Sequence, residues 1–553
     1  MIALSVKKVE RIGWLLVALI LAYWAVYVAV APVTTSDSHI YNLARLLIAE
    51  RGGLFHNPLW TNTHQVVFPW GFDAVYYPFL KIGRFENLPA FICLIGSFLC
   101  VAILFRRGGV QGATPLCMLA LLSSPLVVFQ ATCAKNDIAV AFFALAAFTL
   151  IELSRDGRSM ARDSGIAISL GMLAGAKTSG IIPAVILGAY ALGLRWRDEG
   201  LRGVWRPGCL IALAMVLLGS AETYLNNYMI YGLPMGDQGF IQGHQNPDGL
   251  RGALANLFRY FFNSLATGLE SRALIRDYKC DLWNACESLL QTLSLQGKGM
   301  APYSSDKIFL LGCHECASTY GIIGVASVPL AMAAVVSSGI RGIAGRLAIL
   351  GWILFAVACI TIGWQKFVMR LILAAVLSLI VAAILHASPY LLKRKPLLLC
   401  LQIVMFLLAV FVPLCSWNRG PVSIKNAAYN HQTEAVQESK IKSNIEEIKA
   451  AQNIGKNKSY LMAVILGPDD SALPFLNNST SRWIIIPNID GKTKLDAQDL
   501  ERSLDGKGPG PWLILASGHN RNISLPKGAR ILWEKDPCGK IYLYDSVTKE
   551  TMH

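Results

Sequence analysis

A chain of 553 residues has room for roughly three or four soluble domains, but a hydrophobic share of 54% and a charged share of 15%, with a mean hydropathy of +0.46, exclude that class and mark a polytopic membrane protein. The formal net charge of +15 does not make it a nucleic-acid binder, because the basic residues cluster in alternate short connectors: Arg106 and Arg107, then Arg155, Arg158 and Arg162, then Arg195, Arg197, Arg202 and Arg206, then Arg341 and Arg346, then Lys393, Arg394 and Lys395. That is the positive-inside pattern, and it places these connectors and the N-terminus in the cytoplasm.

The first apolar run, residues 12–31, is about long enough to cross a bilayer and follows Lys7, Lys8 and Arg11. Ala29-Val30-Ala31 resembles a signal-peptidase site, but the run exceeds a usual signal core and Pro32 would follow the cut, so the segment reads as a retained anchor. A long outside loop comes next, residues 32–87, opening on Thr34-Thr35-Ser36-Asp37-Ser38-His39-Ile40-Tyr41-Asn42. Thr35, Ser36 or Asp37 would cap an amphipathic helix over 38–48. The same carboxylate, beside His39, Tyr41 and Asn42, reads equally as the lip of an active site. Farther on stand His56, Trp60, His64 and the run Phe68-Pro69-Trp70-Gly71-Phe72-Asp73, expected as short amphipathic helices on the membrane surface.

Spans are expected at 88–105, 113–131 and 138–153, the last two joined by the turn Cys133-Ala134-Lys135-Asn136-Asp137. Residues 164–194 are too long for one span and have arginines on both flanks. They are therefore read as two short or kinked spans turning at Lys177-Thr178-Ser179-Gly180. Residues 210–228 lead into the largest loop, 226–319, where Leu254, Leu257, Phe258, Phe261 and Phe262 recur at helical spacing and should pack the loop onto the membrane face of the protein. Residues 320–336, 347–362, 371–387 and 397–415 complete about eleven spans, with the C-terminus outside.

From residue 416 the composition becomes that of a soluble domain, so the chain divides into a membrane part, 1–415, and an extracytoplasmic part, 416–553. A polar helix over 434–451 precedes strand-like runs at 460–466, 483–487, 512–516, 531–533 and 541–544, the makings of a small α/β layer. The loops Gly467-Pro468-Asp469-Asp470 and Ser517-Gly518-His519-Asn520 follow strand ends, where α/β sites often lie. No dinucleotide fingerprint or phosphate loop is present, which favours a structural or acceptor-guiding role.

Of the 13 cysteines, Cys280, Cys286, Cys313 and Cys316 share the large loop. An extracytoplasmic address favours disulfides among them, with three pairings open, while Cys313-His314-Glu315-Cys316 would also suit zinc.

Lys135, Lys177, Lys366 and Arg370 sit at the outside mouths of successive spans, against the charge bias of that side. Taken singly, each lysine reads as a snorkelling side chain; taken together, ionisable groups at membrane depth are functional candidates. With Asp37 and Asp137 they would suit a lipid phosphate, the cations holding a leaving group while a carboxylate activates an acceptor.

Ser36-Asp37 after the first span, the aromatic and proline pattern from His64 to Gly71, Lys135-Asn136-Asp137, Ala176-Lys177-Thr178-Ser179-Gly180, and Gln365-Lys366-Phe367 leading to Arg370 together resemble the GT-C-type membrane glycosyltransferases, close to the protein mannosyltransferase and aminoarabinose transferase group. The resemblance covers about residues 12–415 and only loosely the C-terminal part. It implies a helical membrane bundle in the plasma membrane that transfers sugar from a polyprenyl-phosphate donor to a lipid, glycan or protein hydroxyl, with Asp37 as the base and inversion at the anomeric carbon. The lipid phosphate would leave towards Lys177, Arg370 and either Lys135 or Lys366, Asp137 would orient a lysine or the acceptor, and His39, His56, His64 and Asp73 would border the sugar. No nucleotide-sugar site or other cofactor is required, since the donor enters from the bilayer. Many such enzymes carry a second acidic residue beside the base, where Ser36 and Ser38 stand here, which leaves metal dependence open. A lipid-linked oligosaccharide ligase or polymerase and a transporter are the alternatives.

Overall fold

The computed structural model describes residues 5–33, 35, 37–53, 60, 63–157, 159–265, 276–302, 319–365 and 367–415, and five strands beyond them. Among the described residues eight helices are long and apolar enough to cross a membrane, and two bent pairs bring the count to ten. The protein is a multi-pass, mainly helical membrane protein. The expected eleventh crossing is Met160–Ala176, whose 17 residues reach only about 26 Å at 1.5 Å per residue, against a hydrocarbon core of about 30 Å. The turn after it falls where the flanking arginines required. Lys177 is extended, Thr178–Gly180 forms a 3-10 turn, and Ile181–Glu199 runs back.

The two bends have local causes. Gln111–Leu122 and Pro125–Ala131 meet at 82° because Pro125 forces Ser124 out of the helical region, to ψ 111°. Leu201–Leu217 and Ala221–Tyr231 meet at 63° across Ser220, a left-handed non-glycine residue at φ 57°. Against the end of Leu201–Leu217 lies Met160–Ala176, with Gly171 and Gly175 four residues apart on the contacting face. A Cβ on Gly171 would stand 2.5 Å from the Ala214 carbonyl oxygen, and one on Gly175 would stand 1.9 Å from that of Leu218. This is the small-residue spacing by which membrane helices approach backbone to backbone. Leu373–Lys393 is the buried axis of the bundle, packing on Thr114–Leu122, Asp137–Ser154, Gly321–Ser338 and Ile343–Thr361.

The chain divides into two compact units, one of Met1–Ala31, Pro69–Val75 and Phe85–Ala428, the other of Pro32–Phe68, Tyr76–Arg84 and Tyr429–His553. The first contains the helical bundle. The second contains a five-stranded sheet, β1 Leu461–Leu466, β2 Trp483–Pro487, β3 Pro511–Ser517, β4 Arg530–Lys535 and β5 Gly539–Asp545, in the order β2-β1-β3-β5-β4. β1 pairs in parallel with β2 and β3, Ala463 lying opposite Ile484 and Ile514, while β5 runs antiparallel to β3 and β4. Ala463 to Ile465 and Trp512 to Ala516 are all buried, so the central strands are covered on both faces and read as continuous apolar runs. The expected helix 434–451 and the loops 467–470 and 518–520 lie outside the described residues.

Candidate active site

The segment around Asp37 is not the regular capped helix its sequence allows. Asp37 itself is helical, at φ −56° and ψ −42°, and caps no backbone amide with its side chain; Ser38–Asn42 then forms a π-helical turn before Ala44–Gly52. The start of this turn is held instead by a hydrogen bond between the buried Thr35 and Ser38 hydroxyls and by the His39 amide, which donates to the Thr35 carbonyl at 3.2 Å. A π turn widens the helix by one residue and is often found at functional sites. The His39 ring is buried and donates from Nε2 to the Val33 carbonyl at 2.9 Å, which fixes its tautomer. Burial lowers its pKa, and the Val33 bond opposes this only in part.

Within the same unit the aromatic motif forms a cluster. Tyr41 stacks on His64 with ring centres 5.0 Å apart, and Phe68 meets both rings edge-on at 5.8 and 4.9 Å. Arg45, which the sequence reading passed over, is buried and donates to the Phe68 carbonyl at 2.7 Å. His56 lies outside the described residues, as does Lys366.

In the helical unit, a second cluster gathers motifs far apart in sequence. The break at Ser220 aims its hydroxyl at the loop before Asp73, accepting from the amides of Trp70 at 3.2 Å and Gly71 at 2.8 Å. The next amide, of Phe72, donates to the Gly175 carbonyl at 3.2 Å. Asp73, fully buried, then accepts from Asn136 Nδ2, which also donates to the Ala176 carbonyl at 2.9 Å. One residue on from each of these, Lys177 Nζ donates to Asp137 Oδ1 at 2.7 Å. Lys135, in the same turn, is 1% exposed, which is far too buried for a snorkelling side chain. Asp137 begins the helix Asp137–Ser154, whose N-terminal dipole favours its negative charge.

Tyr320 extends this cluster towards Arg370, donating its hydroxyl to the Met369 carbonyl at 2.6 Å. Its side chain is fully buried. The Arg370 guanidinium lies 5.3 Å from the Phe367 ring centre. Four of the sequence candidates, Asp73, Lys135, Asp137 and Lys177, are thus brought together. Asn136 and Tyr320 were missed: Asn136 stood inside a quoted motif, and Tyr320 read as the first residue of an apolar span.

A different correction concerns the large loop. Helix Gly249–Leu265 buries its polar stripe, Asn256, Arg259 and Asn263, and leaves Leu254, Leu257 and Phe261 exposed at 45%, 39% and 45%. The apolar side faces away from the protein, as in an interfacial helix. Arg259 pairs with Glu287 at 3.0 Å. Cys286, in the same region, is a free, buried thiol that burial pushes up to about 12. Cys313, Cys316, the zinc-like motif and the side chain of Cys280 lie outside the described residues. Among the described residues no three His, Cys, Asp or Glu side chains lie together as metal ligands.

No family model matches the chain, and no curated protein matches it by sequence. Its structure is similar to that of ArnT from Cupriavidus metallidurans in a crystal structure bound to undecaprenyl phosphate, with a TM-score of 0.52 over 96% of this chain and 98% of that one, at 12% identity. The same protein in its apo state superposes at 0.44 with 14% identity over the same shares. The fold is of the GT-C type.

Proposed function

We propose that this protein is a plasma-membrane glycosyltransferase that moves a sugar from a polyprenyl-phosphate donor to an acceptor hydroxyl. The observation that carries the reading is the largely enclosed pair Lys177–Asp137 beside the buried Lys135: charges kept at membrane depth are expected to serve a charged ligand. The GT-C-type fold supports it, as does the undecaprenyl phosphate bound by ArnT. In this reading the acceptor oxygen attacks the anomeric carbon while Asp37 takes its proton. The bond from that carbon to the phosphate oxygen breaks with inversion, and the polyprenyl phosphate leaves towards Lys177 and Arg370, with Lys135 or Lys366 assisting. Asp137 orients Lys177. Asp73, His39, His56 and His64 border the sugar.

The test is turnover by the purified protein of a polyprenyl-phosphate sugar in detergent. Release of polyprenyl phosphate with transfer to an acceptor supports the enzyme; transport of intact donor without cleavage assigns the protein to the transporters.

The positive-inside pattern further orients it with the N-terminus in the cytoplasm and segment 416–553 as an extracytoplasmic α/β domain. That orientation counts both bent pairs and Met160–Ala176 as crossings. An enzymatic reporter fused after His553 should be active only outside; if residues 164–194 are one span instead, the signal is cytoplasmic and the scheme after Leu194 inverts.

A further inference from the structure

At the arginine-bearing end of the bundle, at the opposite end of Asp137–Ser154 from Asp137, a cavity of about 520 Å³ opens between Asp137–Ser154, Ile181–Glu199 and Ile343–Thr361. Four arginines line it, Arg155, Arg197, Arg341 and Arg346, and no acidic side chain does. Their partners differ. Arg346 is consumed by structure: it donates from Nε and Nη2 to the two carboxylate oxygens of the fully buried Glu152, and from Nη1 to the carbonyls of Ile340 and Arg341. Arg197 pairs with the adjacent, exposed Asp198. Among the described residues Arg155 meets only the Tyr190 hydroxyl, at 3.4 Å, and neither Arg155 nor Arg341 pairs with a carboxylate. Tyr190 in turn donates to Glu152 at 3.3 Å, which holds the base of the cavity in place.

The remaining walls are apolar, chiefly Leu187, Ile349, Leu350 and Ile353. From Ile343, at the arginine end, to Ile353 is about 15 Å along the helix, half the thickness of a hydrocarbon core. Ile353 is 42% exposed, so this wall continues onto the outer surface of its helix. A soluble anion would need the cations but not an apolar wall reaching to mid-bilayer. We propose that this crevice holds an anionic phospholipid, with its phosphate at Arg155 and Arg341 and an acyl chain along Ile349 and Ile353. Basic pockets between membrane helices are established head-group sites in general, and the two uncommitted arginines here select a net negative lipid over a zwitterionic one.

The experiment uses the full-length protein in detergent, with lipid retention read by native mass spectrometry. Phosphatidylglycerol should be retained about 10-fold over phosphatidylcholine. The double variant Arg155→Gln/Arg341→Gln should lose that preference, and Ile353→Trp, which leaves the charges in place and fills the apolar wall, should lower retention of phosphatidylglycerol. Glycerol phosphate at matched concentration should not displace the lipid. Equal retention of the two lipids by the parent protein, an unchanged preference in the double variant, or displacement by glycerol phosphate would each overturn the proposal. The Ile353→Trp arm guards against misfolding, because it alters no polar contact.

Discussion

Lys177 reaches back to Asp137 across 2.7 Å, with 12% and 3% of the two side chains exposed. The first stands on the extended turn after Met160–Ala176, the second on the first turn of Asp137–Ser154. A buried pair adds little net stability, because desolvating two charges offsets most of their attraction, yet removing one partner strands the other at a cost of about 3–5 kcal/mol. Such a pair is informative because stability alone does not explain its retention.

Lys177→Met should therefore lower the thermal stability of the detergent-solubilised protein by about 3–5 kcal/mol. The double variant Lys177→Met/Asp137→Leu should recover most of that loss, since no charge is left unpaired. Under the proposed function the recovered protein still transfers about 10- to 1000-fold more slowly, the scale for loss of one charge stabiliser. A double variant that is stable and fully active would confine Lys177 to a structural role.

The Gly171 and Gly175 face makes a sharper structural prediction. Gly175→Ala drives a Cβ to 1.9 Å from the Leu218 carbonyl oxygen, and neither backbone can yield without opening the helix pair. Overpacking of this kind costs about 1–3 kcal/mol or more, and it also disturbs the Gly175 carbonyl that accepts from Phe72. Folded yield by size-exclusion chromatography should fall. Gly193→Ala, with open space around its Cβ, is the control and should match the parent protein.

The parts of the fold legible in the sequence are those set by local composition. The strands expected at 483–487 and 512–516 coincide with Trp483–Pro487 and lie within Pro511–Ser517, because β-branched and aromatic runs between polar segments have little alternative. The turn at Lys177 followed from charge on both flanks. What stayed hidden depends on tertiary partners. Ser220 adopts a left-handed conformation because its hydroxyl serves two amides 149 and 150 residues away, and nothing local announces that. The helix Gly249–Leu265 buries Arg259 rather than Phe261, because Arg259 finds Glu287 and the Lys298 carbonyl 28 and 39 residues away, partners that the local pattern does not announce. The polar neighbours of Asp137 were half legible, as motifs without their mutual geometry.

His39 should make the first loop sensitive to acid. Its Nε2–H is committed to the Val33 carbonyl, and among the described residues its Nδ1 has no partner, so a proton added there would be buried without a hydrogen bond. The folded pKa is lowered below the unfolded value, about 6.5, and between the two the unfolded chain binds more protons. The contribution is therefore complete above pH about 6.5 and is lost as pH falls through the folded value. Melting curves should show a lower midpoint at pH 5 than at pH 7.5, and His39→Gln should flatten the difference. An equal slope in the variant would assign the acid sensitivity to other groups.

Asp37 carries the last prediction, because its geometry separates two roles that its sequence left merged. A capping aspartate would bond an amide of the first helical turn, whereas Asp37 is itself helical and makes no such bond. Asn preserves size, helix-start preference and hydrogen-bonding capacity, so Asp37→Asn should fold and elute as the parent does. It cannot take a proton from an acceptor hydroxyl, and transfer should fall at least about 100-fold, within the range for a general base. Donor affinity should persist, since the phosphate is assigned to the cations. The expected result is a folded, donor-binding protein with almost no turnover, measured by radiolabelled donor retention beside product formation. Full turnover by Asp37→Asn would remove the base from the mechanism.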